Sequence, residues 1–182
     1  VGFEAGREVT AGIRNTLMGG EAGDALTDAD DNTAVGSLAL SADTLGSEST
    51  AVGRGALKTQ NFTTATQTLN TAVGYSAGEF LTTGRGNTIV GHTSGDALTT
   101  GGSNTTLGYN SLTADTQGSY SIAIGAHTLA AQNFTTATET YNIAIGYNAA
   151  NNLTTGRNNT VIGGLAADAM TTGFNNTFIG SG

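Results

Sequence analysis

The sequence predicts an all-β, parallel β-solenoid of about ten 17-residue coils, two of which are extended to 21 residues. Two observations lead to this prediction. A short glycine-ended motif recurs every 17 or 21 residues along nearly the whole chain, and the residues just before each glycine are aliphatic or β-branched. A fixed period of this kind is the signature of stacked repeats, because a single repeat cannot bury its own apolar face.

The motif has the form Asn-Thr-apolar-aliphatic-Gly, as in Asn70 to Gly74. Its glycines are Gly2, Gly19, Gly36, Gly53, Gly74, Gly91, Gly108, Gly125, Gly146, Gly163 and Gly180. Residues 37–108 align without gaps on residues 109–180, with 39 of 72 positions identical, and residues 1–36 match the end of such a super-repeat. The sequence therefore predicts one repetitive domain over residues 1–182, and a fragment of a longer fibre.

A strand is predicted immediately before each motif glycine. The last residue before the glycine is never polar, the residue two positions earlier is Thr or Ile, and the residue between them is almost always apolar. β-Branched residues suit strands, and a parallel strand that is apolar on both faces is usually buried on both. One face would cover the coil's own core, and the other would need a neighbour, most simply another copy of the chain. The Thr column, which Ile122 and Ile143 interrupt, is interpreted as inward-facing together with the aliphatic column.

A second strand is predicted after each glycine, where one large apolar residue occupies either of two positions. Leu40 takes the early position in a coil whose later position is Asp43, whereas Leu81 takes the later position in another coil. This exchange is what a constant core volume requires. Turns of the form Thr-Thr-Gly, such as residues 82–84, are expected to end at positive φ. The stacked motif asparagines are expected to bond along the rod.

Composition limits the classes of partner. Charged residues make up 11% of the chain and the net charge is −8, which argues against duplex nucleic acid as a partner because that needs clustered Lys and Arg. No run of 18 apolar residues is present, so no membrane-spanning segment is predicted. The chain has no Cys, which rules out disulfides and thiolate metal sites within it.

The motifs resemble a known family. The segments N-T-A-V-G, N-I-A-I-G and S-I-A-I-G are similar to the S-V-A-I-G head repeats of trimeric autotransporter adhesins, and residues 70–88 resemble repeats of phage tail fibres and marine bacterial surface proteins. The resemblance covers essentially the whole chain, although the coil is longer than the usual family coil and carries the inserts around Phe62 and Phe134. It implies a left-handed β-roll, a homotrimer that could stack into a filament, and binding to a host-surface glycan or matrix protein.

Candidate sites are few. The cluster Asp28, Asp30 and Asp31 is a weak candidate for calcium, since clustered carboxylates suit a hard cation, and a solvated turn is the alternative. His92 and His127 lack metal-ligand spacing and are interpreted as surface residues. Partner contacts are predicted at two pairs of residues, and each pair occupies equivalent positions of the two super-repeats. The pairs are Phe62 with Phe134, and Arg85 with Arg157. The phenylalanines could instead cap the core beside each insert, and the arginines could pair with acidic residues on a neighbouring coil or chain.

The function predicted from these observations is that of a structural and adhesive fibre segment, extracellular and on a cell surface or virion, with no cofactor and no catalytic site. One alternative is a polysaccharide-degrading tail spike, which would need two carboxylates. The available carboxylates are Glu79, Glu139, Asp96 and Asp168. The other alternative is an ice-binding solenoid, for which the inward interpretation of the Thr column is unfavourable.

Overall fold

The computed structural model describes residues 1–182 as an all-β parallel solenoid of about ten coils, as predicted, with strands and no helix. The three-residue strands are β1 (Thr16–Met18), β2 (Thr33–Val35), β4 (Thr50–Val52), β6 (Thr71–Val73), β7 (Thr88–Val90), β8 (Thr105–Leu107), β10 (Ile122–Ile124), β12 (Ile143–Ile145), β13 (Thr160–Ile162) and β14 (Thr177–Ile179). The two-residue strands are β3 (Gly46–Ser47), β5 (Thr66–Gln67), β9 (Gly118–Ser119) and β11 (Thr138–Glu139).

The ten three-residue strands form one parallel sheet in which every strand pairs with the corresponding strand of the next coil. Val35 lies opposite Val52, and Val52 lies opposite Val73 across the 21-residue coil. The insert therefore changes the length of the loop without shifting the register of the sheet. The predicted column of aliphatic residues, one above another along the rod, is confirmed.

The direction predicted for the Thr column is wrong. In each interior coil the middle residue of the strand is buried, as Ala51 and Ile89 are, whereas the flanking Thr and aliphatic residues are half-buried or exposed. Because side chains alternate across a strand, the strictly aliphatic column faces outward together with the Thr column. Sequence reasoning paired the two columns correctly but placed the pair on the wrong face, since the inward residue is most often only an alanine.

The second strand predicted after the motif glycine is also wrong. Residues there form hydrogen-bonded turns in which Ser76 and Gly78, for example, take φ values of 52° and 58°. The coils still bond to each other in this region, as where the Gly78 amide donates to the Ser94 carbonyl. Only 20 of the 109 backbone hydrogen bonds lie within strands, so turn-to-turn bonds hold the coils together as much as the sheet does.

The core is a narrow column that holds about one large aliphatic side chain per coil. The fully buried members are Leu26, Leu40, Leu57, Leu81, Ile89, Leu98, Leu112, Leu129, Leu153 and Val161. Small residues, mostly alanine, fill the space between them. The predicted exchange is confirmed, because Leu40 is buried in a coil whose later position holds Asp43, while Leu81 itself fills that later position in another coil.

Glycine is required where one coil approaches the next. The motif glycine Gly74 has φ of +141°, and a Cβ there would overlap the carbonyl oxygen of Gly91 in the next coil. The turn glycine Gly84 does not have positive φ, contrary to the prediction. A Cβ on Gly84 would instead overlap the carbonyl oxygen of Gly101, so close stacking of the coils explains this glycine.

Asparagine side chains connect the coils as predicted. The Asn70 Oδ1 accepts the Asn87 backbone amide at 2.9 Å, and the Asn70 Nδ2 donates to the Gly84 carbonyl at 2.8 Å. The same pattern recurs along the rod at Asn32, Asn104 and Asn142. Each asparagine side chain bonds to backbone groups of the neighbouring coil. Buried polar atoms need such hydrogen-bond partners.

A buried polar cluster joins each 21-residue coil to the 17-residue coil before it. Asp43 is fully buried, and its carboxylate accepts the Phe62 amide at 2.9 Å and the Gln60 Nε2 at 2.6 Å. Gln60 in turn accepts the Asn70 Nδ2 at 2.9 Å. Asp115, Phe134, Gln132 and Asn142 repeat this cluster in the second super-repeat. The cluster anchors each insert loop to the preceding coil.

Candidate interaction surface

The largest exposed apolar feature is the outer face of the ten-stranded sheet. Its aliphatic column is continuous along the rod and consists of Met18, Val35, Val52, Val73, Val90, Leu107, Ile124, Ile145, Ile162 and Ile179. Val73 is 37% exposed and Leu107 is 47% exposed, although both lie in interior coils. The Thr column runs beside it, two positions earlier in each strand. Continuous apolar surface of this kind marks sites of association.

A row of aromatic rings borders this face, because several coils carry Tyr or His directly after the motif glycine. Tyr75 stacks on His92 with ring centroids 4.9 Å apart, and Tyr109 lies 5.6 Å from His92 and 5.1 Å from His127. His127 contacts Tyr147 edge-on. The two histidines predicted as surface residues therefore belong to one aromatic ladder. Tyr75 and His92 are stacked, whereas the other ring contacts are tilted or edge-on. The ladder adds aromatic surface to the aliphatic surface of the sheet.

The phenylalanines predicted as contact residues are buried. Phe62 and Phe134 are each 7% exposed, and the backbone amide of each donates to the buried aspartate of the preceding coil. Their burial fits the alternative role, in which each ring caps the core beside its insert. The two rings are too buried to offer an exposed aromatic contact to a partner.

The arginines predicted as contact residues are exposed, but none of the five ion pairs of the chain involves them. Arg85 donates from Nε to the Gln67 carbonyl at 3.0 Å. The guanidinium of Arg157 lies 5.7 Å from the centre of the Phe174 ring. Neither arginine therefore pairs with an acidic residue of a neighbouring coil, and a pairing with a neighbouring chain stays a prediction.

The aspartates proposed as a weak calcium site have other partners. Asp31 forms a paired contact with Arg14, in which Nη2 lies 2.8 Å from Oδ2, and the Arg14 hydrogen bond and charge hold the pKa of Asp31 below its ordinary value. Asp30 accepts the Ile13 amide at 2.8 Å, and Asp28 is exposed. No group of three or more His, Cys, Asp or Glu side chains is arranged to hold a metal ion.

Three of the four carboxylates available for a tail-spike mechanism already have partners. Glu79 contacts Lys58 at 3.4 Å, and Asp96 accepts the Thr113 hydroxyl while burial raises its pKa above the ordinary value. Glu139 accepts the Tyr141 hydroxyl at 2.8 Å. Asp168 occupies the same repeat position as Asp96. Of these four residues, Glu139 alone lines any of the three surface grooves.

That groove, called here the Tyr141 groove, has a volume of about 400 Å³ and lies beside the second insert loop. Its lining residues are Ala137, Thr138, Glu139, Tyr141, Arg157 and Asn158. The hydrogen bond to Glu139 raises the pKa of the Tyr141 hydroxyl above its ordinary value. Arg157 is the one predicted contact residue in the groove. The sequence did not single out Tyr141. Its counterpart in the first super-repeat is Leu69, and this is one of many substitutions between the two super-repeats.

No protein-family model, curated protein or solved structure matches this chain. The chain also contains no helix of the length and apolarity needed to cross a membrane.

Proposed function

We propose that the chain is a structural and adhesive segment of an extracellular fibre whose subunits associate through the outer sheet face. The observation that carries this proposal is the unbroken outward column of aliphatic side chains. Parallel sheets are normally covered on both faces, and one chain covers only the inner face of this one. A second copy presents a column of the same length and period, so it is the partner that matches the surface at every coil.

The core supports the same proposal. Each coil buries about one large aliphatic residue, and a fully buried side chain of this kind contributes roughly 1.5–3 kcal/mol. Covering the outward column would add a second apolar contribution per coil. A homotrimer, the state implied by the adhesin resemblance, would bury that column around a central axis. In this role the chain acts mechanically, as a rod that holds binding sites at a distance from a cell surface or virion.

The experiment is a measurement of particle mass by light scattering, joined to negative-stain electron microscopy. The wild-type chain is expected to give a mass near three times 18.1 kDa and rod-shaped particles. The variant Val52→Lys/Val73→Lys is expected to give 18.1 kDa, since two charges cannot be buried against a second copy without large desolvation cost. The matched control is Thr83→Lys, at an exposed turn away from the sheet, which should keep the wild-type mass. A wild-type monomer would overturn the proposal.

The location needs its own test. Antibodies raised against the chain are expected to label filaments on intact source cells or on virions. Labelling that appears only after cells are permeabilised would contradict the extracellular assignment while leaving the oligomer proposal standing.

Ice binding is the second candidate. The sequence predicted an inward Thr column, which is unfavourable for ice binding, whereas the outward column of the structure favours it. The ten-stranded sheet carries this column beside the aliphatic column over ten coils. The column is interrupted by Ile122 and Ile143, and the neighbouring column varies in size from Val73 to Met18. These changes suit packing against a protein surface better than matching a lattice. Thermal hysteresis by a monomeric wild-type chain, abolished by Val52→Lys/Val73→Lys, would establish ice binding instead.

A further inference from the structure

The two super-repeats differ in the groove that lies beside each insert loop. Both insert loops are anchored by the same buried cluster, yet different residues complete the two grooves. The counterparts of the main residues of the Tyr141 groove in the first super-repeat are Gln67, Leu69, Arg85 and Gly86. A groove of about 360 Å³ also lies beside the first insert loop, where Ala65, Thr66 and Gln67 line it. Leu69, Arg85 and Gly86 do not line that groove, and residues of preceding coils, including Arg14 and Asp31, complete it instead. The difference therefore lies in side chains that the solenoid itself does not require.

Tyr141 presents one ring face to the groove. Its ring stacks on Tyr120 of the preceding coil, with centroids 5.3 Å apart and planes within 12°. The groove is completed by Arg157 and Asn158, which belong to the following coil. The groove therefore lies on the side of the ring opposite Tyr120. Tyr141 is 50% exposed and is held in place by Tyr120 and by its hydrogen bond to Glu139, so the ring is a preformed flat platform.

The two equivalent arginines are held in different ways. In the first super-repeat Arg85 donates to the backbone carbonyl of Gln67. In the second, Arg157 lies over the ring of Phe174, at the position where the first super-repeat has Gly102. An aromatic ring beneath a guanidinium fixes its plane while leaving its N–H donors free. Phe174 thus presents Arg157 to the groove.

The polar groups of the groove include both donors and acceptors. Arg157 supplies donors, the Glu139 carboxylate accepts, and Asn158 and the Thr138 hydroxyl do both. A flat apolar platform with a few fixed planar polar groups around it matches a pyranose ring, which has an apolar C–H face and a rim of hydroxyl groups. The Glu139 carboxylate and the chain's net charge of −8 disfavour acidic sugars.

We propose that the Tyr141 groove binds a neutral hexopyranose unit of a surface glycan, with the sugar stacked on Tyr141 and its hydroxyls bound by Arg157, Glu139 and Asn158. This deepens the proposed adhesive function by giving the fibre a place that holds a glycan. The site lies within one chain, so it does not require association. In an oligomer the same groove would occur once per subunit, and several weak sites would act together on a glycan-covered surface.

The test uses an array of immobilised neutral oligosaccharides built from glucose, mannose, galactose or N-acetylglucosamine. The purified wild-type chain is expected to bind at least one of these sugars. Tyr141→Ala and Arg157→Gln are each expected to weaken that binding about tenfold or more, because each removes one of the main contacts. The matched control is Leu69→Ala, at the equivalent position of the first super-repeat, which should bind as the wild type does.

Folding and association are measured on the same samples. All three substitutions are at exposed positions, so each variant is expected to keep the wild-type melting temperature and particle mass. The proposal is overturned if the wild type binds none of the sugars, if either groove variant binds normally, or if Leu69→Ala loses binding equally. A fall in particle mass that accompanies loss of binding would assign the groove to a subunit contact and also overturn it. A monomeric wild type that still binds sugar would contradict only the proposed association.

Discussion

The two super-repeats share a buried polar cluster and differ at their outer corner. The carboxylates of Asp43 and Asp115 are both fully buried, and each accepts a glutamine side chain at 2.6 Å and a phenylalanine amide at 2.9 Å. At the outer corner of the same coils, Leu69 corresponds to Tyr141 and Gly102 to Phe174. The stacking of the coils therefore restricts which residues can occupy the buried cluster. The residues at the outer corner are not restricted in this way and can vary between the super-repeats.

The largest effect is expected where the two super-repeats must be identical. Gly74→Ala, or Gly146→Ala at the equivalent position, would place a Cβ against the carbonyl of the next coil at positive φ. We expect each to lower the free energy of unfolding by about 3 kcal/mol or more, since both overlap and strain are introduced. Gly164→Ala is the control, because its Cβ meets no atom within 4 Å and should change stability by less than about 0.5 kcal/mol. Denaturant unfolding measures all three, and near-neutral behaviour of Gly74→Ala would contradict the close stacking.

A smaller effect is expected at the buried polar cluster. Asp43→Ala and Asp115→Ala each leave two backbone amides and a glutamine side chain without their acceptor. Groups left unsatisfied in this way cost roughly 1–3 kcal/mol, and the two variants should lose the same amount. Asp28→Ala, at an exposed position, is the control. The equality can be checked by denaturant unfolding, and a loss in one super-repeat only would show that the two interiors are not equivalent.

The smallest effect concerns the surface that distinguishes the super-repeats. The hydrogen bond from the Tyr141 hydroxyl to Glu139 raises the pKa of Tyr141. Glu139→Gln is expected to lower that pKa towards the ordinary value, because a neutral acceptor stabilises the protonated phenol less than a carboxylate does. An NMR titration of the assigned Tyr141 ring carbon measures the change, with Gln67→Ala in the first super-repeat as the control. An unchanged pKa in Glu139→Gln would show that the pair does not form.

Much of the fold could be predicted because repetition multiplies a weak signal. The period gave the coil length, the register of Val35, Val52 and Val73, and the exchange between Leu40 and Asp43. The facing of the strand could not be predicted, since the inward residue Ala51 is smaller and less apolar than the outward Val52. Size usually indicates the core, but here the inward position of the strand is most often an alanine, although Ile89 and Val161 are also buried there.

The surface site was predicted less well than the fold. Arg157 was singled out for its repeated position, yet the same reasoning gave equal weight to Arg85, which is bound to backbone. What separates them is the ring of Phe174, seventeen residues away in sequence and adjacent only after the coils stack. Differences between aligned super-repeats, rather than shared residues, would have been the better guide to a binding site.

The most direct test of the account is cross-linking between coils, which the absence of Cys makes clean. Val35 and Val52 are paired in adjacent parallel strands, about 4.8 Å apart, within the roughly 4.4–6.8 Å range of Cα separations that a disulfide spans. The variant Val35→Cys/Val52→Cys is expected to form an intramolecular disulfide on mild oxidation. Val35→Cys/Val73→Cys, two coils apart, is expected to remain reduced within the chain. Ready cross-linking of the second pair, or none in the first, would contradict the stacking of coils in register.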